Sequence, residues 1–421
     1  MSAAAPTPVG ARIDRLYREE HGRILAPLIR LLGDFERAEE VVQDAFEAAI
    51  AQWPEEGIPD EPRAWVLRIA RNKAIDSIRR SARYRDKTSE LAAVAEVERS
   101  FAPAPDDLLT AGLRDDMLRL VFTCCHPAIA PEAQIALTLR TICGLTTEEI
   151  ARAFIVDPRT MAQRIVRVQK KIAAAGIPYR VPEPDELDER LDAVLHTLYL
   201  VFNEGYAASA GDALVRHSLC AEGIRLAELV ATLLPDAGEP KALLALMLLT
   251  DARRDARVDE AGELVVLEAQ DRSRWDRAQI ERALPLVEDA LRGRPPRAYA
   301  IQAAIAALHA QARRPEDTDW RQIAALYGIL VRVAPSPVVE LNQAVAIAMA
   351  GDLALGLRLI DALDARGTLA RYHLLPAARA DLLRRLGRCE EARAAYEAAL
   401  TLVGNDVERR YLERRLAALV S

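Results

Sequence analysis

Aromatic residues make up only 5% of this 421-residue chain, whose most abundant residues are Ala, Leu and Arg. Such a composition favours helices over sheets. The longest strongly apolar run, Ala242–Leu249, is far too short to span a bilayer. The N-terminal sequence MSAAAPTPVG lacks the charged and then apolar pattern of a signal peptide. We therefore predict an all-α, soluble and cytoplasmic protein.

Cysteine is also scarce, and the five cysteines form no paired framework, which suits a reducing cytoplasm. Cys124, Cys125 and His126 are adjacent and invite interpretation as a metal site. Structural zinc sites use separated ligand pairs, and no second pair lies nearby in the sequence. We therefore predict no metal and interpret this segment as a buried helix end stopped by Pro127.

Catalytic motifs are missing as well. The sequence contains no Walker loop, dinucleotide fingerprint or nucleophile elbow, so we predict neither an enzyme nor a cofactor. A formal net charge of −7 argues against a general nucleic-acid-binding protein. Any contact with DNA must come from local basic patches, helped by a partner.

Proline-rich segments divide the chain into helical blocks. Phe101-Ala-Pro-Ala-Pro105 indicates one linker, and Ile177–Glu189, with three prolines and a run of acids, indicates another. The predicted divisions are a helical block at 1–88, a flexible linker at 89–106, a second block at 107–176, a linker at 177–190 and a helical extension at 191–421.

The extension carries a repeat near its C-terminus, with Gly351 aligned on Gly387 at a period of 36 residues. The second copy matches the small and aromatic positions of a tetratricopeptide repeat, whereas the first has Gly356 where alanine is expected. We predict repeats of this kind, clearest at 338–402. Between residues 257 and 267, turn residues followed by a β-prone run predict a small hairpin or ordered loop.

Two further segments of the extension each allow two interpretations. Tyr199-LVFNEGYAAS is either a helix that ends at Gly205 or a functional site at Asn203, Glu204 and Tyr206. Asp271-RSRWDR is either structural, as a salt-bridge network around Trp275, or functional, as a ligand site or a domain-docking surface.

The stretch GLTTEEIARAFIVDPRTMAQRIVRVQKKI predicts two helices joined by a short turn. Thr146 and Glu149 have the spacing of a capping box, and Asp157 can cap the second helix, which has Pro158 in its first turn. An apolar stripe on that second helix consists of Met161, Ile165, Val168 and Ile172. Arg159, Gln163, Arg164, Arg167 and Lys170 lie off this stripe. The pattern is typical of a DNA-recognition helix, although a helical hairpin with a solvated basic face has it too.

The first block contains an acidic helix followed by a basic one. In residues 36–50, an acidic row of Glu36, Glu40, Asp44 and Glu47 accompanies apolar residues that include Val42, Ala45, Phe46 and Ala49. This row is either a solvated face or a dock for a basic partner helix.

The basic helix follows Pro62 and carries nine Lys or Arg residues between Arg63 and Lys87. Leu67, Ala70, Ala74 and Ile78 form its predicted buried stripe. The opposite face carries Arg68, Asn72, Asp76 and Arg79, with Lys73, Arg80 and Arg83 on its flanks. Asn and Arg can bond unpaired base edges, and Trp65 either stacks on a base or belongs to the core.

These features, in this order, resemble an RNA polymerase sigma factor of the extracytoplasmic-function group of the sigma-70 family. The motifs are ERAEEVVQDAFEAA, PRAWVLRIARNKAIDSIRR, and GLTTEEIARAF followed by DPRTMAQRIVRVQKKI. The resemblance covers about the first 175 residues. It implies two small helical DNA-binding domains joined by a linker, the second a helix–turn–helix, that bind core RNA polymerase and promoter DNA without chemistry of their own.

The resemblance also assigns residues to surfaces. The polymerase β′ coiled coil would contact Glu39, Glu40, Gln43, Asp44 and Phe46, and the β flap would be a second polymerase contact. The −10 element would be bound by Trp65, Arg68, Asn72, Lys73, Asp76, Arg79 and Arg80, with the loop at 55–61 accommodating a flipped-out base. The −35 duplex would be read by Arg159, Thr160, Gln163, Arg164 and Arg167.

The long extension departs from typical members of the group and resembles a subgroup with a fused, tetratricopeptide-like C-terminal region. We expect the extension to regulate in cis, either by holding the two DNA-binding domains or by contacting polymerase. The alternatives are a stand-alone, ligand-sensing helix–turn–helix regulator, which leaves the acidic helix unexplained, and a repeat scaffold whose N-terminal helices are merely basic.

Overall fold

The computed structural model describes residues 8–85, 106–154, 156–206, 217–292 and 295–419. Within these ranges it contains eighteen α-helices, short 3₁₀ turns and one isolated β-bridge, which confirms the all-α prediction. The chain divides into two compact units, Met1–Thr197 and Leu198–Ser421. Residues 89–105 of the predicted first linker, including Phe101–Pro105, lie outside the described residues.

The helices of unit 1 follow each other closely. They are α1 Pro8–Leu32, α2 Phe35–Glu56, α3 Pro62–Arg85, α4 Asp106–Cys124, α5 Pro131–Thr141, α6 Thr147–Ala153 and α7 Pro158–Ala174, and α8 Leu187–Tyr206 continues into unit 2.

The core of the first block lies between α1, α2 and α3, where Leu25, Leu28 and Trp53 are buried. Helix α4 also packs on α1. An ion pair joins those two helices, with Arg30 Nε 2.8 Å from Asp116 Oδ1. The two predicted blocks therefore pack together within one unit.

Local capping signals set several helix ends in this unit. The hydroxyl of Thr146 accepts from the backbone N–H of Glu149, whose carboxylate accepts from the N–H of Thr146, so the predicted capping box is confirmed. Gly144 takes a φ of +65° between α5 and α6. Asp157 Oδ1 accepts from the N–H groups of Arg159 and Thr160, which confirms the predicted cap of α7.

The helices of unit 2 form consecutive packed pairs. They are α9 His217–Leu233, α10 Gly238–Asp251, α11 Arg277–Leu291, α12 Ala298–Gln311, α13 Trp320–Val333, α14 Pro337–Met349, α15 Leu353–Ala365, α16 Leu374–Arg385, α17 Cys389–Leu402 and α18 Asp406–Ala417. Between α10 and α11 a non-helical segment holds an antiparallel bridge from Val258 to Leu264, as predicted for an ordered loop.

The predicted repeat corresponds to two helix pairs, α14–α15 and α16–α17. Their turns lie at Gly351 and Gly387, with φ of +117° and +76°. Gly356 packs so closely on α14 that an added Cβ would lie 2.6 Å from Ala348 Cβ. This contact explains why glycine replaces the expected alanine. Among the described helices, none is long and apolar enough to cross a membrane.

Candidate protein and nucleic-acid interfaces

The acidic row of α2 lies on its solvent-exposed side. Glu36, Glu40, Asp44 and Glu47 are exposed, whereas Val42, Ala45 and Ala49 are buried. Gln43 is also exposed, and its Nε2 donates to Glu47 Oε1 at 3.1 Å. Asp34 caps the helix by accepting from the N–H of Arg37. Helix α2 therefore presents a continuous anionic surface.

Phe46 does not belong to this surface. Its side chain is only 5% exposed, and its ring packs edge-on against Tyr17 with centroids 4.9 Å apart. The prediction that Phe46 lies on the docking surface was therefore wrong, because its ring belongs to the packing between α1 and α2. The exposed hydrophobic residue of this helix is instead Ile50, at 59% exposure, three residues after Glu47. Its position off the buried stripe was a signal that the sequence analysis missed.

Glu39 is half-buried between α2 and the second block of unit 1. Gln169 Nε2 on α7 donates to Glu39 Oε1 at 3.4 Å, and Arg140 Nη2 on α5 lies 3.7 Å from Glu39 Oε2. Burial raises the pKa of the Glu39 carboxyl group, and the neighbouring Arg140 guanidinium opposes that shift. Access to Glu39 is therefore restricted, unlike access to Glu40 and Asp44.

The predicted nucleic-acid face of α3 is exposed at Arg68, Asn72, Asp76 and Arg79. The side chain of Arg80 lies outside the described residues. The buried stripe differs slightly from the prediction. Val66, Ala70, Ala74 and Ile75 are buried, whereas Leu67 and Ile78 are only half-buried.

Trp65 and Lys73 connect this face to its surroundings. Trp65 is half-buried and packs edge-on against Trp53, with centroids 5.4 Å apart, so part of its ring remains exposed. Lys73 Nζ lies 3.0 Å from Asp44 Oδ2 on α2. The acidic and basic surfaces therefore meet at an ion pair. In the loop before α3, Gly57 takes a φ of +87° and Ile58 is exposed.

On α7, Met161, Ile165, Val168 and Ile172 are buried, as predicted. The opposite side exposes Arg159, Thr160, Gln163 and Arg167, while Arg164 is half-buried. Asp157, which caps the helix, is the acid nearest to this basic row in the sequence. The arrangement therefore presents guanidinium and amide groups from one helix face, as major-groove recognition requires.

Cys124 and Cys125 lie buried at the end of α4, as the interpretation of a buried helix end requires. Burial raises the pKa of the Cys124 thiol and that of the Cys125 thiol, the latter to about 11. Both thiols are therefore protonated at neutral pH. The described part of the chain contains no group of three metal-binding side chains.

A cavity of about 540 Å³ lies inside unit 1, between the α1–α2 corner and α7. Phe35, Glu39 and Gln169 line it together with Tyr179, whose hydroxyl donates to the carbonyl oxygen of Ala26 at 2.9 Å. The cavity lies where the packing between the two blocks of the unit is incomplete.

Comparison with known proteins finds a family model that matches the first block. Residues 16–84, which span α1 to α3, match the family model described as Sigma-70 region 2. This match covers the first block only, and it identifies that block as similar to region 2 of sigma-70 factors. Sigma factors are non-enzymatic transcription factors, and the match supports a role in binding RNA polymerase and promoter DNA during transcription initiation.

The comparisons for the rest of the chain are less informative. Residues 190–291 match a family model described as a family of unknown function, DUF6596. An uncharacterized protein of Rhizobium meliloti (strain 1021) is 42% identical over 409 residues, which cover 97% of this chain and 96% of that protein. The two proteins therefore share both units. No solved structure matches the chain.

Proposed function

We propose that this protein is a sigma factor of the extracytoplasmic-function group, which binds core RNA polymerase through α2 and directs it to promoters through α3 and α7. The observation that carries the proposal is the exposed acidic row of α2 beside the exposed basic face of α3, both inside the segment similar to sigma-70 region 2. Neither alternative role explains why a DNA-binding block has a separate anionic surface.

The acidic row suits a basic partner helix. Glu40, Gln43 and Asp44 can bond to Arg and Lys of the polymerase β′ coiled coil, and the exposed side chain of Ile50 can add an apolar contact. In such an interface the apolar contact of Ile50 would border the C-terminal end of the carboxylate row.

The exposed face of α3 suits melted DNA at the −10 element. Asn72 can bond the edge of an unpaired base, and Arg68 and Arg79 can bond phosphates or bases. Trp65 has an accessible ring portion on which a base can stack. The exposed loop at 55–61 would hold a flipped-out base.

Helix α7 suits duplex DNA at the −35 element. Arg159 and Thr160 lie at its N-terminal end, where the backbone N–H groups are capped by Asp157, so a phosphate there would be bound by their side chains. Gln163, Arg164 and Arg167 follow along the helix and can reach base edges in the major groove.

The extension after α8, with its tetratricopeptide-like helix pairs, would regulate these activities in cis. Support for this part is the relative that shares both units over nearly its full length. Contacts of the extension with the DNA-binding domains, or with polymerase regions such as the β flap, are the two routes for such regulation.

The first experiment measures binding of the full-length protein to core RNA polymerase. We expect Glu40→Lys and Asp44→Lys each to weaken binding by about tenfold or more, because each places a cation opposite a basic partner surface. Glu19→Lys is the matched control, since Glu19 is exposed on α1, outside the acidic row.

Binding that is equally tight in the two α2 variants and in the control would overturn the proposal. Binding to duplex promoter DNA without any affinity for polymerase would instead favour the stand-alone regulator.

A further inference from the structure

We propose that unit 2 contains a binding site for an oxyanion, a phosphate or carboxylate group of a small molecule, at the loop between α10 and α11. Three arginines, Arg253, Arg257 and Arg272, surround this site. The inference goes beyond the sigma-factor role and does not depend on it.

Within the part of the chain that the structure describes, none of the three arginines forms a close ion pair. The carboxylates of Asp317 and Glu316 act on Arg272 only from beyond ion-pair distance. The carboxylate of Glu408 likewise acts on Arg257 only from beyond that distance.

Arg254, which follows Arg253 in the sequence, shows the usual arrangement, with its Nη1 3.0 Å from Asp251 Oδ2. Partly buried charge without a counter-ion is costly, so a bound anion would compensate it.

The acids of Asp271-RSRWDR do not neutralise these cations. Asp271 accepts from the N–H and hydroxyl of Ser273, and Asp276 caps α11 by accepting from the N–H of Gln279. Among the described residues neither acid forms an ion pair, so the expected salt-bridge network around Trp275 was wrong.

Arg272 is held in place by neutral groups. Its Nη1 donates to the carbonyl oxygens of His309 and Ala312 at 3.0 and 2.6 Å, and its Nη2 donates to Thr318 Oγ1 at 3.0 Å. These bonds are to neutral groups. The attraction of Asp317 and Glu316 offsets the Arg272 charge only in part, because burial lowers the pKa of the guanidinium group. Arg272 is therefore a fixed cation, 5% exposed, at the base of the site.

Arg253 is the arginine whose guanidinium group remains available to bind an oxyanion. Its Cζ lies 6.0 Å from the ring centroid of Trp275, and that of Arg272 lies 4.9 Å from the same centroid. Arg253 is half-buried and makes no hydrogen bond within the described residues. The Trp275 ring orients both guanidinium groups through cation–π contacts.

Unpartnered buried polar atoms gather around the same tryptophan. They are Arg253 Nε, Arg272 Nε, Trp275 Nε1 and His309 Nδ1. Buried polar atoms are normally paired, and several unpaired ones at a single place indicate a missing partner. Burial lowers the pKa of His309 to about 4, with Arg253 and Arg272 adding to the shift. The imidazole is therefore neutral and can offer an anion at most one N–H donor, so the positive charge comes from the arginines.

The surrounding side chains fit an oxyanion. Guanidinium groups bind carboxylate and phosphate through parallel N–H···O bonds, and they do so most strongly where water is restricted. Arg257 contributes a third cation, stacked over the Tyr206 ring with its Cζ 4.0 Å from the centroid. Burial raises the pKa of Tyr327 to about 12, and the charge of Arg253 partly opposes that shift, so the phenol stays protonated.

The test is calorimetric titration of full-length protein with inorganic phosphate and, separately, with succinate, at constant ionic strength set by chloride. We expect binding of one or both oxyanions. Arg253→Gln should weaken that binding by about tenfold or more, since charge-assisted bonds are lost. Arg321→Gln, at an exposed position on α13, should bind as wild type does. A preference for phosphate or for succinate assigns the natural group.

Arg253→Lys is a control for loss of folding. It keeps the positive charge and removes only the planar guanidinium group that can form two parallel hydrogen bonds. We expect its affinity to lie between those of wild type and Arg253→Gln. The proposal is overturned if wild type binds neither oxyanion at millimolar concentration, or if both Arg253 variants bind as tightly as wild type.

Discussion

His21 is fully enclosed in unit 1, where its Nδ1–H donates to the carbonyl oxygen of Thr141 at 2.9 Å. Burial lowers the pKa of the imidazole to about 4, and the bond to Thr141 only partly opposes this. Folding therefore requires the neutral form, since a charged imidazole here would lack both water and a carboxylate partner.

The free energy of unfolding should therefore fall as the pH falls from 6.5 to about 4. In this window the unfolded chain binds a proton at His21 and the folded protein does not, so acid favours unfolding. Over the whole window the loss attributable to His21 is about 3 kcal/mol. Urea unfolding of wild type and His21→Gln across this range measures it. Parallel pH profiles of the two proteins would contradict the prediction.

At the residue scale, the sequence predicts those contacts that join residues close together in the chain. The caps by Thr146, Glu149 and Asp157 follow from spacing alone, because each bond spans three residues or fewer. The burial of Phe46 does not follow from spacing, because it requires the position of Tyr17 on another helix. Likewise, the contact of Glu39 with Arg140 joins residues far apart in the sequence.

Helix α2 meets the second block through a contact that adds little stability. The raised pKa of Glu39 means that its loss of hydration outweighs the attraction of Arg140, whose nearest nitrogen is 3.7 Å away. The contact therefore covers Glu39 without holding the two blocks firmly together.

Glu39→Gln should accordingly leave the free energy of unfolding unchanged or raise it by up to about 1 kcal/mol, because the amide removes a partly buried charge of the same shape. Glu40→Gln is the exposed control, with an expected effect near zero. Urea unfolding measures both variants. A loss of about 3 kcal/mol or more in Glu39→Gln would show that the ion pair is required.

The register of α3 illustrates what periodicity misses at the scale of an element. The predicted stripe assumed a single buried face, but α3 packs on both α1 and α2. The buried face therefore shifts to include Val66 and Ile75, while Leu67 and Ile78 lie at its edges. The local sequence pattern was enough to predict that the helix exists and where it begins and ends. Its rotation about its own axis depends on the helices packed against it.

At the scale of the whole molecule, the segment after α7 is anchored to unit 1. The hydroxyl of Tyr179 donates to the carbonyl oxygen of Ala26, and Arg190 Nη2 donates to that of Phe122 at 2.7 Å. Thr197 Oγ1 also donates to Gln134 Oε1 at 2.7 Å. Residues 177–190, predicted as a linker, thus include anchoring contacts that composition could not reveal.

A fragment ending at residue 175 should be less stable than one ending at residue 197, by about 2–3 kcal/mol, because it lacks three buried or partly buried hydrogen bonds. Urea unfolding of both fragments tests this. The fragment 1–197 carrying Tyr179→Phe should lie between them. Equal stability of the two fragments would mean that the anchoring contacts contribute nothing.

The ion pair between Lys73 and Asp44 has a thermodynamic consequence for assembly. In the free protein, a cation proposed to bind DNA is neutralised by a carboxylate proposed to bind polymerase. When a polymerase cation engages Asp44, Lys73 becomes available to a phosphate, so each partner favours binding of the other. Because both side chains are exposed, this reciprocal coupling should be worth at most about fivefold in affinity. If both surfaces act as proposed, DNA binding and polymerase binding would thus reinforce each other in whichever order the two partners arrive.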